Sequence, residues 1–418
     1  MISVEEARAR ILAGLRPTAA EVVALPEAWG RVTAAPVHAR VTQPPADVSA
    51  MDGYALRAAD AAAPGTRLRV VGTAPAGHPF AGAVGPGEAV RLFTGSPIPP
   101  GAGAVLLQED AERDGEWVIA REAPRPGRYI RPAGQDFRGG DAVLPAGRRL
   151  GARDVGLAAA ADHPWLRVHR RPRVAVLATG DEVALPGEPI GPGGIVSSNA
   201  HALAALIRAR GGQPIVLPVA RDSLDAVAEA ADAAAGADLL VTTGGASVGE
   251  HDLVRRGLGE RGFELDFWRI AMRPGKPMLH GRLGGRPEGQ PERPSGASRA
   301  GTPVLGLPGN PVSALVCAVL FLGPALDRLC GLPGDAPATV PAMLAAPVPA
   351  NDHRADHLRA TLAQDPTRGL LAAPFARQDS SLLRLLAEAD ALVLRAPFAP
   401  ALEAGAMVRV IPLRDVGV

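Results

Sequence analysis

Apolar residues along this chain recur with three different periods, and the period changes mark its organisation. Ile2, Ala7, Ile11, Leu12 and Leu15 recur at helical spacing, which predicts an amphipathic helix over 2–24. From 30 to 150 short runs (RLRVVG, EAVRLF, AVLLQED, EWVIA) alternate with Gly/Pro turns, the texture of a small all-β unit. Helical texture returns at 151–170 with GARDVGLAAAAD. A continuous apolar strand, RVAVLAT, follows at 173–179. Asn199 then stands where a cap belongs, before a helix through Arg210 that Gly211 and Gly212 stop. PIVLPVA reads as a second strand, Asp222 as the cap of a helix through Ala235, and ADLLVTT as a third strand. FELDFWRIA and PVLGLPG add two more strands, and Asn310-Pro311 opens a helix ending near Cys330. Continuous apolar strands alternating with helices predict a parallel sheet covered on both faces, with ligands beyond the strands' carboxyl ends. Residues 285–301, rich in Gly, Pro, Ser and Arg, read as a mobile loop between strands. Residues 335–418 read as a C-terminal β domain of short strands.

Composition narrows the function classes. At 418 residues the chain is too long for one core. It carries 44 basic against 43 acidic side chains, so global charge gives it no hold on nucleic acid. A hydrophobic share of 47% excludes disorder. Two cysteines, Cys317 and Cys330, supply neither a disulfide framework nor a multi-cysteine metal site, and fit a reducing compartment. Glu5 and Glu6 interrupt the N-terminal segment, which does not read as a secretory signal. The most apolar stretch, 312–326, is short for a membrane span and holds Gly323-Pro324, so it reads as a buried helix. The expectation is a cytoplasmic protein without membrane contact. Lys276 is the only lysine, and asparagine occurs only at 199, 310 and 351. Residues that escape such a bias toward Arg and Ala are candidates for chemistry.

Four strand-end turns hold that chemistry. Thr179, Gly180, Asp181 and Glu182 follow the first strand, and the paired carboxylates suit either a hard cation such as magnesium or a plain acidic turn. Gly244 and Gly245 follow the third strand and let backbone N–H groups approach an anion, with Ser247 as hydroxyl donor and Glu250 and Asp252 near the next helix. Pro274, Gly275 and Pro277 make a tight turn around Lys276, a fixed point charge for phosphate or oxyanion but not a nucleotide P-loop. Pro308, Gly309 and Asn310 form a fourth turn, where Asn310 either caps the helix or serves an anion, and Ser198-Asn199 is equally ambiguous. These turns imply a phosphorylated ligand and a divalent cation. His251 is the only histidine set among them. SAMDGYA, FTGSPIPPGAGAV and GQDFRGGD each read as turns alone, and nothing in them connects Asp52, Thr94 or Asp136 to the α/β region.

Taken in order, SAMDGYA, TGSPIPPGAGAV, GQDFRGGD, TGDEV, TTGGASVGEHD, MRPGKP and LPGNP resemble the molybdopterin molybdenumtransferase family, which includes the bacterial enzyme of molybdenum-cofactor synthesis and the E domain of gephyrin. The resemblance covers residues 1–335 by motif and the remainder by texture. It implies a multidomain α/β plus β chain: a split helical domain (1–43 and 137–171), a small β domain (44–136), an α/β molybdopterin-binding domain (172–334) and a C-terminal barrel-like β domain (335–418). It implies a homodimer in which molybdate is inserted into adenylated molybdopterin, with magnesium-dependent hydrolysis and release of AMP. A contact with the molybdopterin adenylyltransferase that delivers the substrate is also expected.

Carried over position by position, Asp181, Glu182, Asp222 and Asp252 match the family's metal acids, and Lys276 a ligand-binding lysine. Asp52, Thr94 and Asp136 match residues that reach the partner subunit's site. Gly244, Gly245, Ser247, Gly249 and Glu250 match the pterin-phosphate cradle. Arg359 and Ser380 or Ser381 resemble anion-binding positions. The family often has an acid before the Ser-Asn pair. Ser197 stands there instead, so that loop is assigned no metal role. The alternatives are the adenylyltransferase itself, which would lack SAMDGYA and TGSPIPPGAGAV, and a non-catalytic pterin-binding scaffold.

Overall fold

The computed structural model describes residues 1–244, 253–284 and 301–418. The chain forms two compact units: residues 1–21, 30–34 and 168–418 make the first, and 22–29 with 35–167 the second.

In the first unit, helix α1 (Val4–Ala13) is capped by Ser3, whose hydroxyl accepts from the Glu6 N–H. The expected helix to residue 24 is not formed. Gly14 caps α1, Pro17 cannot continue it, and Ala20–Ala24, with Val22 and Val23, is a strand.

The central sheet contains β1 (Arg173–Ala178), β2 (Gln213–Val216), β3 (Leu239–Thr243), β4 (Glu264–Arg269), β5 (Pro277–Leu283) and β6 (Thr302–Leu307) in the order β2-β1-β3-β6-β5-β4. It is mixed rather than parallel: β2, β1, β3 and β6 run parallel, and β5 runs antiparallel to both of its neighbours, β6 and β4. β5 is the strand that the Arg-Pro-Gly-Lys-Pro turn conceals, because Pro277 begins it where no ladder N–H is needed. The continuous apolar pattern of β1 has the predicted cause. Val174, Val176 and Ala178 enter one core, and Ala175 and Leu177 the other.

Helices α2 (Asn199–Ala209), α3 (Leu224–Ala233), α4 (Leu253–Gly259) and α5 (Pro311–Leu329) cover the sheet. α5 is long and apolar enough to cross a membrane, and 89% of its most apolar window is buried in the protein. Its Phe321, with α1 residues Ala7 and Ile11, belongs to the largest core, where each large apolar side chain contributes roughly 1.5–3 kcal/mol. A π-helical segment, Ala318–Leu322, interrupts α5.

Strands β7 (Val340–Leu344), β8 (Ala355–Asp365), β9 (Gly369–Pro374), β10 (Ala391–Arg395) and β11 (Met407–Pro412) close into a barrel in the order β8-β9-β7-β11-β10, with β10 returning to β8. A short parallel pairing, Met272 with Ala355 and Arg273 with Asp356, stitches the barrel to the α/β region.

The second unit contains a six-stranded sheet of Ala104–Leu107, Gly53–Leu56, Glu88–Leu92, Arg67–Ala74, Trp117–Ala120 and Ala111–Asp114, in that order. The four runs expected there are strands. Gly53–Leu56, within what reads as a turn, is a fifth and wholly buried. Gly53 is required, since a Cβ would sit 2.1 Å from the Leu106 carbonyl oxygen.

Candidate active site

The strand ends of the sheet and one loop of the barrel enclose a cleft of about 1250 Å³. Thr179, Gly180, Glu182, Ser198, Asn199, Asp222, Gly244, Pro274, Gly275, Lys276, Pro308, Gly309, Asn310 and Ser380 all line it. Four turns far apart in sequence thus converge at one edge of the sheet: three follow parallel strands, the placement that parallel topology dictates, and the lysine turn joins the antiparallel β4 and β5. Gly245, Ser247, Gly249, Glu250, His251 and Asp252 lie outside the described residues.

The α/β wall is built from backbone. Gly180 (φ 139°) has the Glu182 carboxylate folded over it, so that a Cβ there would lie 2.5 Å from Oε2. Gly244 (φ 92°) turns against Thr179, whose carbonyl oxygen would be 2.7 Å from a Cβ. Both positions need glycine. Among the described residues the buried Thr179 hydroxyl has no hydrogen-bond partner.

Asn199 does not cap α2: the cap position is Ser198, and the Asn199 amide donates to Thr243 Oγ1 (2.8 Å) and the Gly309 carbonyl (2.7 Å). It ties the end of β3 to the Pro308–Asn310 turn. Asp222 does not cap α3 either; Ser223 does, accepting from the Ala226 N–H. Asp222 is left to exchange hydrogen bonds with Asp181, its N–H donating to Oδ1 (3.2 Å) and its Oδ2 accepting from the Asp181 N–H (3.4 Å). Glu182 and Asp222 face the cleft, whereas the Asp181 side chain is 65% exposed beside Arg221. Among the described residues no three acidic, histidine or cysteine side chains gather at metal distance. The hard oxygen donors present are nevertheless the type magnesium prefers.

The barrel wall is held by side chains. Arg359 is not free for an anion. It is 1% exposed, and its guanidinium donates to Gln378 Oε1 and the carbonyls of Arg377 and Leu382, each at 3.3 Å. It shapes the loop that presents Ser380. Burial lowers its pKa, since the surroundings disfavour the charged form. Asp379 is occupied by the hydroxyl and N–H of Ser381, which hold its carboxyl below the usual range. Ser380 Oγ accepts from Asn310 Nδ2 (2.9 Å) across the cleft, so Asn310 gives the helix no side-chain cap.

Two cationic residues escape the sequence reading. Arg273 and Arg354 both line the cleft near Lys276. Arg354 is held by Asp352, with Nε 3.0 Å from Oδ1, and that bond drives the Asp352 carboxyl well below the usual range. Arg273 stands in the turn already singled out, at a position open to solvent. The lysine turn rests on α5. A Cβ on Gly275 (φ 111°) would meet Cys317 Sγ at 2.5 Å, and burial pushes the Cys317 thiol pKa up, leaving it an inert packing group.

In the second unit, Asp52 Oδ1 accepts from the Thr94 N–H (2.7 Å) and hydroxyl (2.8 Å), bonds that hold the carboxyl below its usual range. Asp136 is exposed, and its N–H donates to the Gln43 carbonyl.

Glycine turns at the ends of parallel strands and a cleft lined by both acids and cations, with a barrel loop at its rim, define a multidomain α/β plus β protein with a site suited to an anionic ligand. Three family models fit this chain: the MoeA N-terminal region (domain I and II) over residues 2–161, a probable molybdopterin binding domain over 175–328, and the MoeA C-terminal region (domain IV) over 341–413. The chain is 37% identical to the molybdopterin molybdenumtransferase of Nostoc sp., over 75% of this chain and 70% of that one. It is 32% identical to molybdopterin molybdenumtransferase 1 of Mycobacterium tuberculosis over the whole of both chains. A molybdopterin biosynthesis MoeA structure from Pyrococcus horikoshii superposes with a TM-score of 0.82 at 30% identity, covering 99% of each chain. The chain belongs to the molybdopterin molybdenumtransferase family, transferases of molybdenum-cofactor biosynthesis.

Proposed function

We propose that this protein inserts molybdate into the dithiolene of adenylated molybdopterin and hydrolyses the adenylate, releasing AMP. The observation that supports this most is the mixed lining of the cleft: Glu182 and Asp222 line it from the strand ends, and Lys276, Arg273 and Arg354 line it as well, Arg273 beside the start of β8. A phosphoanhydride and a tetrahedral oxyanion need different partners, and one cleft supplies both sets.

In this reading the glycine turn at 244 brings backbone to the pterin phosphate, and the turn at 180, whose Gly180 and Asp181 N–H groups donate to Ala220 and Asp222, presents Glu182 to the cleft. Lys276 lies opposite the charge that develops on the scissile phosphoanhydride, and a preorganised cation there lowers the barrier without reorganisation. Arg273 and Arg354, with the Ser380 hydroxyl, hold molybdate. Magnesium would be held by Glu182 and Asp222 with Asp181 and Asp252, and when bound it supplies charge neutralisation at the phosphate. The cleft volume exceeds the roughly 300–1,000 Å³ of a site for one small molecule, as a nucleotide-bearing ligand plus an oxyanion requires.

The Asp52–Thr94 pair and Asp136 complete the site of a second subunit in a homodimer, and molybdopterin adenylyltransferase docks to deliver the substrate in the cytoplasm. The test is AMP release from adenylated molybdopterin with magnesium as molybdate is added. Saturable, molybdate-dependent release is expected. Tight pterin binding with no release at any molybdate concentration overturns the reading in favour of a scaffold.

A further inference from the structure

We propose that Asp356 is a positioning residue for the cationic wall of the cleft, acting through Arg273 on the lysine turn. The inference rests on the reading of that wall as the oxyanion site.

Asp356 lies at the start of β8 and is 4% exposed, yet its carboxylate takes a bidentate pair from Arg273: Nε to Oδ1 at 2.9 Å and Nη2 to Oδ2 at 2.7 Å. The Arg273 side chain is 48% exposed and lines the cleft. One partner is therefore fixed in the protein and the other stands at the ligand. A buried carboxylate is costly without a partner, so the fork has one strongly preferred orientation. The bridge uses Nε and Nη2 and leaves Nη1 for another acceptor.

The backbone reinforces this. Arg273 and Asp356 are register partners in the parallel pairing of Met272–Arg273 with β8, and the Ala355 N–H donates to the Ala271 carbonyl at 2.9 Å. Lys276 is three residues further on, where its carbonyl accepts from the Ile270 N–H at 3.2 Å and closes the turn. The Cys317 thiol reaches the Gly275 carbonyl from behind. The position of Lys276 thus depends on a turn held at both ends, and Asp356 is the barrel's hold on it.

A surface ion pair between flexible side chains would contribute little. This one differs because the acid is immobile and the fork is planar, so removing the acid frees the direction of the guanidinium as well as its charge balance. Arg395, the register partner of Asp356 on β10, is itself buried with Nε and Nη1 unpartnered. Among the described residues the hydrogen bonds to the Asp356 carboxylate come from Arg273, with Arg354 near enough to feel its charge.

The test uses the full chain, with molybdate alone as the calorimetric probe, and steady-state AMP release for KM and kcat. Asp356→Asn is expected to weaken molybdate binding and raise KM for molybdate about tenfold, the size of one charged hydrogen bond, with a smaller change in kcat. Arg273→Lys keeps the charge but loses the fork and is expected to match it. The double variant is expected to be no worse than either single, because both break one interaction. If Asp356→Asn lowers the melting temperature but leaves molybdate affinity and KM unchanged, the role is structural and the proposal fails. Additive losses in the double variant also overturn it. Should Asp356→Asn not fold, Arg273→Lys carries the test, and wild-type molybdate affinity there contradicts the proposal. Molybdate binding that falls in Asp356→Asn while wild type releases no AMP would break the transferase reaction and leave this inference standing.

Discussion

The two walls of the cleft are made by opposite means. On the α/β wall, Gly180, Gly244 and Gly275 set the turns through positive φ angles, side chains such as Asn199 and Arg273 only tie them down, and Glu182, Asp222 and Lys276 remain for ligands. On the barrel wall, side chains shape the loop: Arg359 with Gln378, Asp379 with Ser381, and Arg354 with Asp352. A charged residue therefore means different things on the two sides. On the first it points to chemistry, and on the second most of the charge maintains shape.

The largest effect that sharpens this comparison is expected at Lys276. Lys276→Ala should lower kcat by about 100-fold or more, the typical loss of one transition-state donor, while the melting temperature stays near wild type. A matching fall in melting temperature would show that the α/β wall is not divided from stability in this way. Arg359→Ala should do the reverse. It should cost about 3 kcal/mol in urea unfolding, because it strips a buried network of its donor.

The pH response belongs to the barrel side as well. Burial lowers the His357 pKa from 6.5 to about 4. Below pH 6.5 the unfolded chain takes up a proton that the folded chain refuses. Stability is thus full above about 6.5 and is lost as pH falls toward 4, by up to about 3 kcal/mol. Denaturant titrations at pH 7 and 4.5 should show this loss shrinking in His357→Gln. The smallest effect is expected at Asn310, whose amide joins the walls. Asn310→Ala should cost about 1 kcal/mol, the net worth of one hydrogen bond, and loosen the Ser380 loop.

Much of the α/β wall is legible in the sequence because its turns sit at strand ends, and strand ends are marked by an apolar run meeting glycine. The lone lysine stood out from composition alone and does line the cleft. The three asparagines also mark structure, though not as caps. Asn199 and Asn310 cross-link turns, and Asn351 ties the 396–399 segment by donating to the Ala396 carbonyl and accepting from the Ala399 N–H. Capping was misread because Ser198 and Ser223 stand beside Asn199 and Asp222, and local sequence cannot rank adjacent candidates.

The barrel wall was read less well. Arg359 and Arg354 lie five residues apart, and the chosen one is buried. The signal that separates them is position: Arg359 is inside a strand next to the buried Ala360, whereas Arg354 precedes the strand. Arg273 carries no such mark in the sequence, because arginine is abundant in this chain and lysine occurs once. The mixed sheet was hidden for another reason. A strand beginning at Pro277 looks like the end of a turn, and direction follows from pairing distant in sequence.

The central claim is that the acids and the cations lining the cleft serve different parts of the ligand. Calorimetric titration of molybdate into Lys276→Ala and Asp222→Asn tests it most directly. The account predicts that molybdate affinity is lost in Lys276→Ala and retained in Asp222→Asn. Loss in Asp222→Asn with retention in Lys276→Ala would contradict it.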